Sequence, residues 1–252
     1  MKLEEIVFVL VETTHDGNIG AAARAMANMG LGTLRLVNPK KSIGGDAIAR
    51  SAGAFELLEP VEVFTSLDDA IADCTLVLGT SARRRDTGIK VLSPWAAASQ
   101  VTRQNQTAGH KSAILFGRES RGLTNSELDR CDATITFPVY ESFTSMNLGS
   151  AVALMSYELR FAALGERRIS DEPEPDELLE KMDEDAPTSA ERESFFNHLQ
   201  RFLFALDFIK IRKPEKLLRK IRLLYMENKL TSEQVNIIRG IMSAIEDKIK
   251  QK

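Results

Sequence analysis

Apolar residues over the first 165 positions come in short runs: Ile6 to Val11, Thr33 to Val37, Val61 to Phe64, Thr75 to Gly79, Ala113 to Gly117 and Ala133 to Phe137. Many are β-branched, and helix-like segments separate them. A strand that reads apolar on both sides is covered on both faces, so these six runs predict a mostly parallel sheet with helices above and below, an α/β fold. Asn18 stands before an Ala-rich stretch ending at Met29, as an N-cap does, and Thr124 and Glu127 have capping-box spacing before a short helix. From Asn147 onward, Leu148, Val152, Met155 and Leu159 recur at helical spacing, a stripe that can pack on the sheet or on a second subunit.

The pattern changes after residue 165. Residues 166–190, with Asp-Glu-Pro-Glu-Pro-Asp at 171–176, combine acidic repulsion, two prolines and few apolar groups, as an extended linker does. Three helical stripes follow in residues 191–252: Phe195, Leu199, Phe202, Leu203 and Leu206; then Leu217, Leu218, Ile221, Leu224 and Tyr225; then Val235, Ile238, Ile241, Met242 and Ile245. Thr231 and Gln234 are placed to cap the third. The reading is a domain over 1–165, an acidic linker over 166–190 and a small helical domain over 191–252, whose limited core calls for support from the rest of the protein.

Charge follows the same division. The whole chain has 33 basic and 36 acidic residues, −3 at neutral pH, which by itself argues against a nucleic-acid partner. Residues 1–170 carry 18 Lys and Arg against 19 Asp and Glu, residues 171–190 carry 1 against 9, and residues 191–252 carry 14 against 8. A basic tail therefore follows an acidic connector, and seven of its cations, Lys210, Arg212, Lys213, Lys216, Arg219, Lys220 and Arg222, fall within 13 residues. No run approaches the roughly 18 apolar residues of a membrane span, and Lys2, Glu4 and Glu5 do not resemble a cleavable signal, which predicts a cytoplasmic protein away from membranes. Two cysteines and three scattered histidines offer neither a disulfide framework nor zinc-site spacing, so no structural metal is expected.

Three polar, glycine-containing segments each follow a predicted strand, where an open α/β sheet places its ligands. The first is His15-Asp16-Gly17-Asn18-Ile19-Gly20-Ala21-Ala22-Ala23-Arg24, with Arg24 on the helix it starts. It matches neither the dinucleotide fingerprint nor the Walker pattern. The second is Phe116-Gly117-Arg118-Glu119-Ser120-Arg121-Gly122-Leu123-Thr124. The third is Ser142-Phe143-Thr144-Ser145-Met146-Asn147-Leu148-Gly149-Ser150, which delivers hydroxyls and an amide to the start of a helix.

In this order and spacing N-I-G-A-A-A-R-A-M, F-G-R-E-S-R-G-L-T and S-M-N-L resemble the three motifs of the SpoU branch of the SPOUT RNA methyltransferases, over residues 1 to about 165. The opening V-L-V-E-T-T-H-D-G-N-I-G, L-V-N-P at 36–39, G-T-S-A-R at 79–83 and the helical extension are similar to the narrower TrmJ type, which are tRNA 2′-O-methyltransferases. The resemblance implies a Rossmann-like sheet whose C-terminal part threads a deep trefoil knot, in a homodimer with S-adenosylmethionine held in the knot near the subunit interface. Knots are rare exceptions to the rules of chain topology, and periodicity alone stops at a doubly wound sheet.

Carried over by motif, the resemblance implies a cofactor pocket of Thr80, Ser81, Ala82, Gly117, Phe137, Thr144, Ser145 and Met146, in which backbone groups dominate. It implies that Asn18, Arg24, Glu119, Ser145 and Asn147 are the polar groups of catalysis or active-site architecture, and that the target is the ribose at position 32 of the anticodon loop of tRNA. The family's usual scheme makes Arg24 the general base. A guanidinium is effectively always protonated, which favours a charged Arg24 that grips a phosphate and stabilises developing alkoxide charge while phosphate or water takes the proton. Each group also has a structural role open to it: Arg24 as a helix-surface charge, Asn18 and Asn147 as caps, Glu119 as an ion-pair partner of Arg118 or Arg121, Ser145 as a loop hydroxyl. Arg83, Arg84 and Arg85 after the cofactor loop, and Lys213, Lys216, Arg219 and Lys220 in the tail, are candidate RNA contacts or simply solvated faces. Alternatives to tRNA methylation are ribosomal RNA methylation, since these motifs do not encode RNA identity, and a noncatalytic RNA-binding protein that keeps the fold.

Overall fold

The computed structural model describes residues 3–82, 89–165, 186–209, 214–228 and 230–250. The chain divides into two compact units, 1–181 and 182–252. In the first, β1 (Ile6–Val11), β2 (Thr33–Val37), β3 (Glu62–Phe64), β4 (Leu76–Thr80), β5 (Val91–Leu92), β6 (Ser112–Phe116) and β7 (Ala133–Ile135) form one sheet in the order β3-β2-β1-β6-β4-β7-β5. Every pairing is parallel. The two central strands, β1 and β6, are buried at every position, as their unbroken apolar runs require. Phe8 and Phe116 meet across them with ring centroids 5.3 Å apart.

The six runs expected to be strands are strands, with ends shifted by a residue or two. The seventh, Val91–Leu92, was not expected: two residues carry no periodicity, and the strand is paired to β7, where Thr134 N and Thr136 N donate to the Lys90 and Leu92 carbonyls. The next helix, α5 (Pro94–Gln104), starts where Ser93 accepts from Ala96 N at the cap and proline fills the first turn.

Helices α1 (Asp16–Asn28), α2 (Gly45–Ser51), α3 (Phe55–Leu58), α4 (Leu67–Ala70), α5, α6 (Asn125–Leu128) and α7 (Leu148–Ala163) complete the first unit. Helix α1 crosses α2 so closely that a Cβ on Gly20 would lie 2.1 Å from the Ala47 carbonyl oxygen. The α7 stripe Leu148, Val152, Met155 and Leu159 is buried, with α7 packed against α1 and α5. The sheet order turns outward on both sides of the β1–β6 pair. Loops leaving the C-terminal ends of β1, β4, β6 and β7 therefore gather at one edge, where such a sheet forms a ligand crevice.

The second unit has α8 (Ser189–Ala205), α9 (Glu215–Asn228) and α10 (Ser232–Lys250). Helix α8 starts at a capping box of Thr188 and Glu191, so helical structure begins inside the stretch read as linker; residues 166–185 lie outside the described residues. Phe195, Phe202, Tyr225, Val235 and Met242 make its core, and Thr231 and Gln234 cap α10 as expected. Leu206, Leu224, Ile241 and Ile245, expected in the stripes, are exposed. Three short helices cannot enclose both sides of each stripe.

Candidate active site

A cleft of about 620 Å³ opens at this edge of the sheet, and all eight residues expected to hold a cofactor line it: Thr80, Ser81, Ala82, Gly117, Phe137, Thr144, Ser145 and Met146. The strand ends that form it are tied together by their own polar groups. Thr80 Oγ1 donates to the Leu115 carbonyl at 2.9 Å, and Ser81 N donates to the Ile135 carbonyl at 2.9 Å. The Thr80 hydroxyl is thus occupied in joining β4 to β6. Gly117 is needed here for space: a Cβ would lie 2.1 Å from the carbonyl carbon of Gly122, where the 117–123 loop folds back on itself with Gly122 at φ +66°. Arg118, Arg121, Leu123 and Val139 also line the cleft.

Glu119 lines the cleft too, and it joins two of the three motifs. Its carboxylate accepts from Asn18 Nδ2 at 2.8 Å, Thr14 Oγ1 at 2.8 Å, Thr14 N at 3.1 Å and His15 N at 3.4 Å. Burial pushes this carboxyl up, but the hydrogen bonds from Asn18 and Thr14 outweigh it and hold the group below the usual carboxylate range. Asn147 brings in the third motif. Its Oδ1 caps α7, accepting from Gly149 N at 2.9 Å and Ser150 N at 3.4 Å, while its Nδ2 makes a long contact of 3.5 Å to Asn18 Oδ1.

Two local expectations are corrected. Asn18 is not an N-cap: α1 begins at Asp16 behind His15, and the Asn18 side chain is a tertiary donor to Glu119. Glu119 pairs with neither Arg118 nor Arg121. Arg118 instead engages Glu12 through Nε at 3.0 Å and Glu127 through both terminal nitrogens at 2.9 Å. Thr14 and Arg118 are the organising residues that sequence reasoning passed over. Arg118 was in view as part of the second motif, but acids 106 and 9 positions away gave no local signal.

Arg24 lies exposed on α1, eight residues past its start, and is not among the residues that line the cleft. Ser145 lines it from an exposed loop, as does the exposed Arg121. Arg83, Arg84, Arg85 and Lys213 lie outside the described residues. Lys216 and Lys220 are exposed one turn apart on α9, whereas Arg219 is partly buried. Arg222, counted with them in sequence, is ion-paired with Glu193 and lies 4.1 Å over the Phe196 ring. Among the described residues no group of three His, Cys, Asp or Glu is placed to hold a metal ion, and no helix is long and apolar enough to cross a membrane.

Residues 5–157 match the SpoU rRNA methylase family, and residues 190–252 match the C-terminal domain of the tRNA methyltransferase TrmJ. A tRNA (cytidine/uridine/adenosine-2′-O-)-methyltransferase TrmJ from Pseudomonas aeruginosa is 39% identical over 96% of this chain and 93% of its own. An uncharacterized tRNA/rRNA methyltransferase from Haemophilus influenzae is 40% identical over 98% of this chain and 97% of its own. Among solved structures, TrmJ from Z. mobilis ZM4 superposes with a TM-score of 0.79 at 30% identity, covering 95% of this chain and 98% of that one.

Proposed function

The chain belongs to the SpoU methylase family and to its TrmJ branch, and on that premise we propose that it methylates a ribose 2′-hydroxyl of tRNA, at position 32 of the anticodon loop, with S-adenosylmethionine as methyl donor. The observation that carries this reading is the convergence of the eight expected cofactor residues on one cleft, with Glu119 on its wall joined through Asn18 to Asn147. The cleft fits the cofactor: its volume falls in the range of roughly 300–1,000 Å³ usual for small-ligand sites. Ala82, Gly117, Phe137 and Met146 supply apolar wall for an adenine, and Thr144 and Ser145 supply polar groups for the methionine end. When bound, the cofactor supplies an electrophilic methyl group on sulfonium.

The chain's own residues then position and stabilise. Glu119, already ionised and saturated with donors, holds Asn18 and the Thr14 turn instead of taking a proton. Arg24 grips the phosphate beside the target ribose through its guanidinium and stabilises the developing alkoxide, and the 2′-hydroxyl proton leaves to phosphate or water. The strand order, with β7 paired to β4 and the 144–148 segment returning to the Gly117 loop, supports the trefoil knot. A homodimer is part of the proposal: Arg24, outside the cleft of its own subunit, is then available to an RNA shared by two copies. The exposed Lys216 and Lys220 of the second unit grip the tRNA.

The test is transfer of labelled methyl from S-adenosylmethionine to unmodified bulk tRNA, wild type against Arg24→Ala, followed by mapping of the methylated ribose. Label at position 32 that disappears in the variant is the expected result. Label elsewhere rejects the site, and label only on ribosomal RNA rejects the substrate. Binding of RNA without transfer to either leaves a noncatalytic protein. Arg24→Lys separates the roles of Arg24, because activity kept by lysine with a new pH dependence contradicts the charged model and favours a base.

A further inference from the structure

Arg118 lines the cleft and is engaged on several sides, yet none of its side-chain contacts is with a group that the proposed reaction uses. Its guanidinium spans two acids from different parts of the fold: Glu12, just past the end of β1, and Glu127, on α6. Each acid has a second task. Glu12 pairs with Lys40 at 3.0 Å, and it sits in the left-handed region, φ +49°, with its N–H donating to Val37. Glu127 closes the capping box of α6, accepting from Thr124 N at 2.7 Å. Arg118 also fastens its own loop, its Nη1 donating to the Gly122 carbonyl at 3.4 Å and its carbonyl accepting from Gly122 N at 2.8 Å.

The loop after β6 is therefore pinned to the loop after β1 by two adjacent residues of opposite charge. Arg118 reaches Glu12; Glu119 reaches Thr14, His15 and Asn18. Glu12 is held at about 2, chiefly by the hydrogen bond from Arg118 and then by Lys40, so the clamp stays charged throughout the neutral range. The left-handed backbone at Glu12 is a conformation that a glutamate adopts only when its surroundings hold it there. The ion pair with Arg118 is such a constraint, and the turn that follows it carries the donors of Glu119.

We infer that Arg118 is a positioning residue: by bridging Glu12 and Glu127 it sets the 117–123 loop against the Thr14–Asn18 turn, and so aligns the cleft with the Glu119–Asn18–Asn147 groups. This rests on the methyltransferase reading given above. A residue that only stabilised the fold would, when replaced, lower the melting temperature and the yield of folded protein, but each folded molecule would bind and turn over as before. A positioning residue changes the folded molecules themselves. Misplacement of reacting groups by ~1 Å costs up to about a hundredfold in rate.

The experiment compares wild type, Arg118→Gln and Arg118→Lys in the full-length protein. Calorimetric titration with S-adenosylmethionine gives the affinity and the number of competent sites, and kcat on tRNA is then expressed per competent site. Arg118→Gln is expected to weaken cofactor binding by about tenfold and to lower kcat per site by about ten- to a hundredfold. Arg118→Lys, whose single ammonium can reach one acid but not span both, is expected to recover cofactor affinity and only part of kcat. If Arg118→Gln does not fold, the lysine variant carries the test alone. Wild-type affinity and wild-type kcat per site in every folded variant overturn the inference. The cofactor titration keeps it separate from the substrate assignment: a wild type that binds cofactor but methylates no tRNA refutes the proposed function, while an unchanged affinity in Arg118→Gln still refutes the role of Arg118.

Discussion

Replacing Glu119 with glutamine isolates the carboxylate that joins the motifs, because the two side chains are nearly the same size and only charge and acceptor capacity change. Oε1 faces Asn18 Nδ2 at 2.8 Å, and Oε2 faces Thr14 Oγ1 at 2.8 Å and Thr14 N at 3.1 Å. Whichever end becomes the amide nitrogen meets a donor. The Thr14 hydroxyl can rotate to accept instead, but the Asn18 amide can do so only by flipping, which breaks its contact with Asn147. Glu119 is only half-buried and one of its two ends stays an acceptor, so the loss is taken as one short contact at the low end for hydrogen bonds to a charged group, about 1.5 kcal/mol. At roughly 2–4 °C per kcal/mol for a domain of this size, Glu119→Gln melts about 3–6 °C below wild type at pH 7. The folded-state pKa of Glu119 is depressed, so its contribution is present above the unfolded value of 4.5 and is lost as pH falls through the folded value. Melts followed by circular dichroism between pH 7 and pH 3 should therefore show the gap between the two proteins closing below about pH 4.5. A variant that melts with wild type at pH 7, or a gap that persists unchanged in acid, refutes the reasoning.

Gly20→Ala places a methyl group 2.1 Å from a backbone oxygen of α2, so α1 and α2 must separate; a loss of about 1–3 kcal/mol in urea denaturation and a fall in methyl transfer are expected. Cys74 is fully buried and its thiol is pushed up to about 12, chiefly by burial, so alkylation of the native protein at pH 8 should leave it unmodified by mass spectrometry, while unfolding exposes it to reagent. The double change Lys216→Glu and Lys220→Glu should weaken tRNA binding and flatten its salt dependence by about two in the logarithmic slope, with cofactor affinity unchanged. Arg222→Ala should act differently from that pair, lowering the melting temperature of the helical unit through loss of its Glu193 and Phe196 contacts.

Strand 6–11 was readable to the residue because a parallel strand buried on both faces is apolar at every position, and strand 33–37 because only Arg35 interrupts its apolar interior; both signals are local. Strand 91–92 was not, because two residues carry no local pattern and its strand state is defined by pairing with β7, more than 40 positions away. The same distinction runs through the site. That Asn18 is a polar residue near a helix start is local information, and it points to a cap; its true acceptor is 101 positions away, so no local rule could find it. Asn147 keeps the capping role that its spacing predicts, since both acceptor and donors lie within three residues.

The basic residues extend this into function. Arg118, Arg222, Lys216 and Lys220 look alike in sequence, each a cation in a polar context, yet the fold gives the first two fixed acidic partners and leaves the last two exposed on α9. A cation already held by a buried or half-buried acid has no charge to spare for a phosphate, and removing it leaves that acid unpaired; an exposed lysine gives up only its attraction for a polyanion. Under the proposed function, replacing members of the two sets is expected to separate what a charge count merges: losses of stability and catalytic alignment from the paired arginines, and losses of RNA affinity and of its salt dependence from the exposed lysines.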